Sequence, residues 1–515
     1  MPKKILFVIP PVPDSLKGAP WFLREERHSS EAAVPFNPYM AASILGMLRT
    51  RMPGIAIEVF DAMALGLSAE EAISRIDNCH PDIIIVTLSA YYLNERSERL
   101  LAELPYPTIG IICPVSADPR EAIDLYGLKT KYFVYTDETE MAVAEAVQEF
   151  CETGVIRKTR GMVIQDGRGV IYTGDREYSD MDSYPLPAYD LFPIDKYVAL
   201  QDKVTQKLPD YRNMAMINTM KGCRFGCDFC TSAYSKYKLR FKSAPIVYKE
   251  IEHLHKEHGF TKLEFLDSEF AVNMDDRKEL CRMLADSGMN LSFLIKNRVE
   301  LLDEELLELL RRSGCTEIMY GIETADPRLQ KNSIFKNIDL GLAKRNIALT
   351  KKYGLRVSLF IIVGLPGEDK EALKKNAQLI FDTKPYRIMC GILFPDVGSP
   401  MYDRYKKNGL LLERDWSYYR KLKKLCFKHD IYRCIDDVAR AKLWMMCQYR
   451  LRFVFDAALS FKKRLGYLFF FLSGYTYYLM WDFINKNAFG RALKSMLKEH
   501  FRFLTSESFR ESGLI

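Results

Sequence analysis

Met214-Ala-Met-Ile-Asn-Thr-Met-Lys-Gly-Cys-Arg-Phe-Gly-Cys-Asp-Phe-Cys230 runs a short apolar strand into a loop with three cysteines, Cys223, Cys227 and Cys230. Three thiols held so closely, in a chain without extracellular features, favour a metal over a disulfide. A structural zinc ion or a closed cluster wants four protein ligands. No fourth Cys follows before Cys281, and only His253, His255 and His258 stand nearby, on a predicted helix. A three-thiolate iron-sulfur cluster would leave one iron open to bind and activate a small molecule. A zinc ion completed by a remote ligand remains an alternative, as do three unrelated buried cysteines.

Strand and helix alternate regularly around this loop. Apolar runs predict strands at Met214–Thr219, Lys262–Leu266, Leu291–Ile295, Glu317–Tyr320, Arg356–Val363 and Arg387–Phe394. Amphipathic runs predict helices between them, such as Ile246–His258, Asp275–Ser287 and Asp339–Tyr353. Polar residues recur at the strand C-termini, the end where a barrel does its chemistry. Six such units make residues 206–400 a partial (β/α)6 barrel of TIM type.

Residues 1–150 read as a separate doubly wound, Rossmann-like sheet. The β-branched run Asp82–Leu88 suits a strand buried on both faces. Ligands on such sheets bind beyond the strand C-termini, so Pro11, Asp61, Leu65, Thr87, Ser89, Cys113 and Pro114 outline a candidate crevice. Residues 151–205 form a hairpin around Asp166-Gly167 and a stiff linker, Tyr184-Pro-Leu-Pro-Ala-Tyr-Asp190, expected over the surface. Residues 401–515 read as a mainly helical C-terminal domain that covers the substrate. Within it Leu465–Trp481 has no charged residue and follows Lys462-Lys463-Arg464. It is short for a bilayer span. A buried helical pair is the first reading, with interfacial membrane contact or a lid over a greasy substrate as the alternative.

With 515 residues, 48% hydrophobic and 27% charged, the chain is folded and globular. A net charge of +7 is modest for this length. The N-terminal apolar run is too short for a signal peptide, and twelve scattered Cys suit a reducing cytoplasm. The expected localisation is cytoplasmic, with membrane association open. The basic stretch Tyr402–Lys424 reads as a solvated helix, so no nucleic-acid partner is expected.

The spacing Cys-x3-Cys-x2-Cys, with Phe229 before the last Cys, resembles the radical S-adenosylmethionine superfamily. In that family three thiolates hold a 4Fe-4S cluster, whose open iron chelates the amino and carboxylate groups of S-adenosylmethionine. One electron then cleaves the sulfonium to give a 5′-deoxyadenosyl radical. Lys221 and Arg224 are expected to favour the thiolate form. The resemblance puts Asp267 and Glu269 near the methionine amino group, and Arg298 and Glu323 near the ribose and carboxylate. Gly364 and Gly367 would lie in the turn that supports adenosine. Each acidic residue has an ordinary alternative as a helix N-cap or a surface charge.

Over residues 1–400 the chain resembles radical enzymes with an N-terminal cobalamin-binding domain. The matching stretches are Asp61-Ala-Met-Ala-Leu-Gly66, Thr87-Leu-Ser89 and Thr136-Asp137-Glu138. The resemblance makes Pro11, Asp61, Leu65, Gly66, Thr87, Ser89, Cys113, Pro114, Asp137 and Glu138 the cobalamin contacts. The chain departs from the pattern twice. Ala64 stands where a cobalt-ligating His would be, and Cys113-Pro114 replaces the usual paired glycines. Glycine there permits close backbone approach, which proline obstructs.

The resemblance implies a cobalamin-dependent methyltransferase acting on an unactivated carbon of a hydrophobic or flat small molecule. An electron donor such as flavodoxin or ferredoxin would serve it. Tyr234, Tyr237 and Phe394 are candidate substrate contacts by position. Two rival readings are a ring-forming or rearranging enzyme without methyl transfer, tetrapyrrole cyclase-like, and a non-catalytic cobalamin- or cluster-binding protein.

Overall fold

The structure is a computed structural model that describes residues 3–10, 38–89, 105–113, 132–166, 169–205, 213–233, 238–412, 425–455 and 459–479. The N-terminal sheet has seven strands in the order β2-β1-β3-β4-β5-β6-β7. They are β1 (Lys4–Ile9), β2 (Ala56–Asp61), β3 (Ile83–Ser89), β4 (Thr108–Cys113), β5 (Tyr132–Val134), β6 (Met162–Asp166) and β7 (Gly169–Tyr172). The first five are parallel, and β6 and β7 add an antiparallel hairpin.

Alternation along β1 shows why this sheet is covered on both faces. Ile5 and Phe7 enter one apolar cluster, while Leu6 and Val8 enter another. Helices α1 (Tyr39–Arg51) and α3 (Thr139–Thr153) supply the first, through Ile44, Leu45, Leu48, Val143 and Val147. Helix α2 (Ala69–Cys79) supplies the second through Ala72 and Ile76. It starts at a capping box in which Ser68 and Glu71 satisfy each other's backbone N–H. Strand register aligns Ile9 with Asp61 and Ser89 with Cys113. The C-termini of these strands therefore line up along one edge of the sheet.

The second sheet is fully parallel, in the order β15-β14-β13-β12-β11-β8. Its strands are β8 (Met214–Ile217), β11 (Lys262–Phe265), β12 (Ser292–Asn297), β13 (Cys315–Glu323), β14 (Arg356–Val363) and β15 (Arg387–Ile392). Helices α5 (Ala244–His258), α6 (Met274–Asp286), α7 (Glu304–Arg312), α9 (Leu340–Lys352) and α10 (Lys370–Thr383) alternate with them. A shorter helix, α8 (Pro327–Asn332), follows β13. Outward residues such as Ile217, Phe265, Ile295, Ile318 and Leu359 meet the helices. Inward residues Met214, Met216, Leu294, Met319 and Met389 fill the barrel. This is the partial barrel expected from six βα units.

The structure adds three things to the sequence reading. The run Tyr184–Asp190 is not a surface strap. Ala188 and Tyr189 are buried, and Ala188 N–H donates to Ala42 of α1. Gly46 makes this possible, because a Cβ there would lie 2.5 Å from the Leu186 carbonyl oxygen. A helix, α4 (Ile194–Thr205), follows inside the segment read as linker. A two-stranded hairpin, β9 (Met220–Lys221) with β10 (Arg240–Phe241), brackets the cysteine loop.

Beyond the barrel, α11 (Pro400–Lys407) and α12 (Ile435–Val454) lead to α13 (Phe461–Leu479). Helix α12 packs on α10, β14 and β15 and pairs with α13, where Phe453 stacks on Tyr467 at 4.4 Å. No helix among the described residues is long and apolar enough to cross a membrane.

Candidate active site

The cysteine loop leaves the C-terminal end of β8 and is pinned at its start. Asp267, just past β11, is buried and accepts from both the N–H (2.7 Å) and the hydroxyl of Thr219. Gly222 takes the left-handed φ of +75° that turns the chain into the loop. Cys230 N–H donates to the Cys227 carbonyl at 3.1 Å, and Asp228 N–H donates to the Ile334 carbonyl at 3.0 Å. Helix α11 closes the far side, with Met401 N–H on the Asp228 carbonyl (2.8 Å) and Arg404 paired with the Asp228 carboxylate.

Burial pushes the Cys223 thiol up, and pushes Cys227 up to about 11. Lys336 and Arg298 pull Cys227 the other way. Arg298 Nη1 lies 3.8 Å from Cys227 Sγ, and its guanidinium stacks 4.1 Å from the Phe225 ring centroid. The cations beside the thiols are thus Lys336 and Arg298. Lys221 instead pairs with Glu140, and Arg224 lies over Phe225. The three histidines of α5 are engaged elsewhere. His253 and His258 pack edge to face, and His255 Nδ1 meets the Phe260 carbonyl at 2.9 Å.

Next to the thiols lies a buried group of alternating charge. Lys336 Nζ donates to Glu323 Oε1 at 3.0 Å. Glu269 accepts from the Arg298 N–H at 2.5 Å. Burial alone would lower Lys336, but Glu323, Cys227 and Glu269 outweigh it and raise it. Burial raises Glu269 to about 7 against the opposing pull of Lys336 and Arg298. Glu323 sits at φ +67°, after a register shift between β13 and β14 at Gly321/Glu323. A bulge of this kind re-aims a side chain, and left-handed non-glycine residues concentrate at functional sites. At Gly321 a Cβ would lie 2.5 Å from Lys336 Nζ and 2.6 Å from Glu323 Oε1. The bare backbone there lets the ion pair lie directly against the strand.

The turn after β14 forms the third wall. Gly364 and Gly367 have φ of +83° and +76°. Glu368 is fully buried beneath them and accepts from Gly364 N–H, Leu365 N–H and the Tyr432 hydroxyl. Gly367 N–H donates to Asp430 at 3.1 Å, so the segment before α12 buttresses the turn. Phe229 and Phe394 join Leu365, Leu329 and Ile334 in one apolar cluster, which links the last cysteine to this turn.

Residues 217–380 match the Radical SAM superfamily. That match begins at the last residue of β8 and takes in the cysteine loop, the charged group and the glycine turn just described. The chain contains a radical SAM domain.

Among related proteins, an uncharacterized methyltransferase of Pyrococcus horikoshii is 24% identical over 428 residues, covering 81% of this chain and 86% of the relative. The anaerobic magnesium-protoporphyrin IX monomethyl ester cyclase of Rubrivivax gelatinosus is 25% identical over 381 residues, covering 71% of this chain and 66% of that one. Among solved structures, the radical S-adenosylmethionine methyltransferase TsrM from Kitasatospora setae, with cobalamin and a [4Fe-4S] cluster bound, superimposes with a TM-score of 0.60 at 17% identity. That match covers 79% of this chain and 75% of TsrM. Both the N-terminal sheet and the barrel thus share the fold of a larger radical SAM architecture.

The cysteine loop of this radical SAM domain carries three thiols, the number that a cubane with one open iron takes. A cubane takes one thiolate per iron, which spreads its ligands. Among the described residues no three His, Cys, Asp or Glu side chains converge as ligands of one ion do. The remaining expected site residues divide. Cys223, Cys227, Cys230, Phe229, Glu269, Arg298, Glu323, Gly364 and Gly367 gather at the barrel's C-terminal end. Asp267 belongs there too, but both its oxygens hold Thr219. Tyr234, Tyr237, Pro11 and Pro114 lie outside the described residues.

At the N-terminal crevice, Leu65, Gly66, Thr87, Ser89 and Cys113 stand at the strand ends. Three carboxylates expected there have other partners. Asp61 accepts from Ala64 N–H at 2.7 Å and from the hydroxyl of Tyr197 on α4. Asp137 and Glu138 face Arg240 of the hairpin. Lys336, Tyr197 and Tyr432 escaped the sequence reading, since their partners lie 13 to 136 residues away. The one local signal was Pro193 before Ile194, a helix-start pattern that would have exposed α4 and Tyr197.

Proposed function

We propose that this chain is a cobalamin-dependent radical SAM methyltransferase that methylates an unactivated carbon of a hydrophobic or flat small molecule. The observation that carries this reading is a junction. The root of the cysteine loop sits directly against the turn after β5, at the C-terminal edge of the N-terminal sheet: Lys221 donates to the Asp137 carbonyl of that turn and pairs with Glu140 at the start of α3. A cofactor on that edge and a cluster on that loop would face one region.

The N-terminal edge suits a corrinoid gripped by backbone. At Gly66, φ +67°, a Cβ would meet none of the described residues within 4 Å. With Ala64 in the same turn, no imidazole reaches up from it. Leu65, Gly66, Thr87, Ser89 and Cys113 would hold the group. Asp137 and Glu138 would act only through their loop. When bound, the cluster supplies an electron for sulfonium cleavage, and cobalamin supplies a carrier for the methyl group.

The chain's own residues do the rest. Cys223, Cys227 and Cys230 hold the cluster. Lys336 offers a buried cation to the carboxylate of S-adenosylmethionine, while Glu269 and Glu323 accept from its ammonium and ribose hydroxyls. The Gly364–Gly367 turn and Phe229 confine the adenosine. The apolar cluster around Phe394 keeps water from the reacting centre. A flavodoxin or ferredoxin would deliver the electron in a reducing cytoplasm.

Anaerobic reconstitution with iron, sulfide and cobalamin tests the assignment. Roughly four iron per chain and a corrinoid absorption band are expected. Iron that survives replacement of all three loop cysteines by alanine defeats the cluster site. The second reading, ring formation or rearrangement, rests on the likeness to the magnesium-protoporphyrin ester cyclase over 71% of this chain. Product mass separates the two, because only methylation yields S-adenosylhomocysteine with a gain of one methylene.

A further inference from the structure

The hairpin β9–β10 places Lys221 and Arg240 side by side as register partners. Both side chains are largely buried. They point away from the thiols, into three carboxylates of the N-terminal unit. Lys221 Nζ donates to the Asp137 carbonyl at 2.7 Å and pairs with Glu140. Arg240 pairs with Asp137 Oδ2 at 2.9 Å and with Glu138. Glu138 also accepts from the Tyr184 hydroxyl at 2.9 Å and from Ser179 N–H at 3.2 Å, which ties in the linker. Tyr178 lies 4.5 Å under the Arg240 guanidinium. A second strut reaches the same root of the loop, three residues upstream. Tyr39, the first residue of α1, donates its hydroxyl to the Asn218 carbonyl at 2.7 Å. Lys242 Nζ holds that hydroxyl at 3.1 Å and pairs with Glu250.

Replacing a buried ion pair by apolar residues of similar size is often neutral or stabilising, whereas removing one partner is strongly destabilising. Stability alone therefore gives little reason for five charges here. Their arrangement is directional. Both struts end on residues 218–221, the segment that enters Gly222 and Cys223. The barrel holds the loop from one side through Asp267 and Arg298, and the N-terminal unit holds its root from the other.

We propose that Lys221 and Arg240, with Asp137, Glu138 and Glu140, are positioning residues that set the cysteine loop relative to the C-terminal edge of the N-terminal sheet, and so fix the spacing of the two cofactor sites. Their role in cofactor spacing rests on the methyltransferase reading above. The clamp itself does not.

The test removes both partners of one pair, Lys221→Met with Glu140→Leu, so that no buried charge is orphaned. In the metal-free chain, hydrogen exchange should quicken at residues 137–141 and 218–222 while the barrel strands stay protected. In the loaded chain, iron content should hold. The distance between cob(II)alamin and the reduced cluster, read by pulsed electron paramagnetic resonance, should broaden or shift. A misplacement of about 1 Å lowers product formation by up to roughly 100-fold, while cleavage of S-adenosylmethionine continues uncoupled. The single variant Lys221→Arg should restore a narrow distance. Unchanged exchange at both segments overturns the clamp. Faster exchange with an unchanged cofactor distance overturns its positioning role. A wild-type chain that binds no corrinoid defeats the methyltransferase reading and with it the spacing role, and the exchange result still decides the clamp.

Discussion

Asp267 and Thr219 meet through both carboxylate oxygens, one on the Thr219 N–H and one on its hydroxyl, with the carboxylate buried at the end of β11. The residue that resemblance assigns to S-adenosylmethionine thus anchors the cysteine loop. Asp267→Ala leaves two buried donors unpaired and should cost about 2–6 kcal/mol. Asp267→Asn keeps an acceptor for the N–H and should cost much less. Urea denaturation measures the difference, and iron retention after reconstitution should fall in the alanine variant only. Equal iron in both would return Asp267 to a cofactor role.

Gly321→Ala tests the close approach of Lys336 and Glu323 to the bare backbone of β13. The added methyl would lie 2.5 Å from Lys336 Nζ and 2.6 Å from Glu323 Oε1, both ends of side chains that can move. The fold should survive while the ion pair is pushed off the strand. Affinity for S-adenosylmethionine should drop about tenfold or more, equivalent to about 1.4 kcal/mol. Equilibrium dialysis on the reconstituted protein checks this. An unchanged affinity would place the bound carboxylate and ribose away from Gly321.

Local pattern carried most of the fold. The run Ile83-Ile-Ile-Val86 could only be a strand buried on both faces, and it is. Six βα repeats announced the partial barrel, and the three cysteines marked its active end. Long-range pairing was not legible. Asp137 and Glu138 read as cofactor contacts because their partner Arg240 stands over a hundred residues downstream. Lys336 carried no local mark, since it acts only when α8 brings it back beside Glu323 on β13. The proline-rich Tyr184–Asp190 read as exposed because nothing local reveals that Gly46 admits its backbone against α1.

Glu368 makes stability depend on pH. Burial raises its carboxyl from 4.5 to about 7, against the pull of the Gly364 N–H and the Tyr432 hydroxyl. Between these values the folded chain keeps a proton that the unfolded chain releases. The group's contribution is therefore most favourable below 4.5, declines as pH rises, and levels off above 7. The full span is on the order of 3 kcal/mol. Glu269 is raised into the same window, so both act in one direction. Glu368→Gln keeps the acceptor for the turn and removes one titration. Its urea midpoint should fall less between pH 5 and pH 8 than that of the parent chain. Identical pH slopes in the two would show that Glu368 ionises normally.

Tyr197→Phe tests how the turn after β2 is held. Tyr197 is buried on α4, and its hydroxyl reaches the Asp61 carboxylate. Burial first, then the charge of Asp61, pushes its phenol well above the ordinary tyrosine range, so it remains a donor at all working pH. Phenylalanine leaves one Asp61 oxygen buried without that donor and should cost about 1–3 kcal/mol. Asp61 would still hold Ala64 N–H, so the helical turn Ala62–Leu65 should loosen rather than unfold. Hydrogen exchange should quicken at residues 62–66, and corrinoid affinity should weaken with it, because Leu65 and Gly66 ride on that turn. A corrinoid affinity that holds while exchange quickens would move the cofactor contact off this turn and onto the ends of β3 and β4.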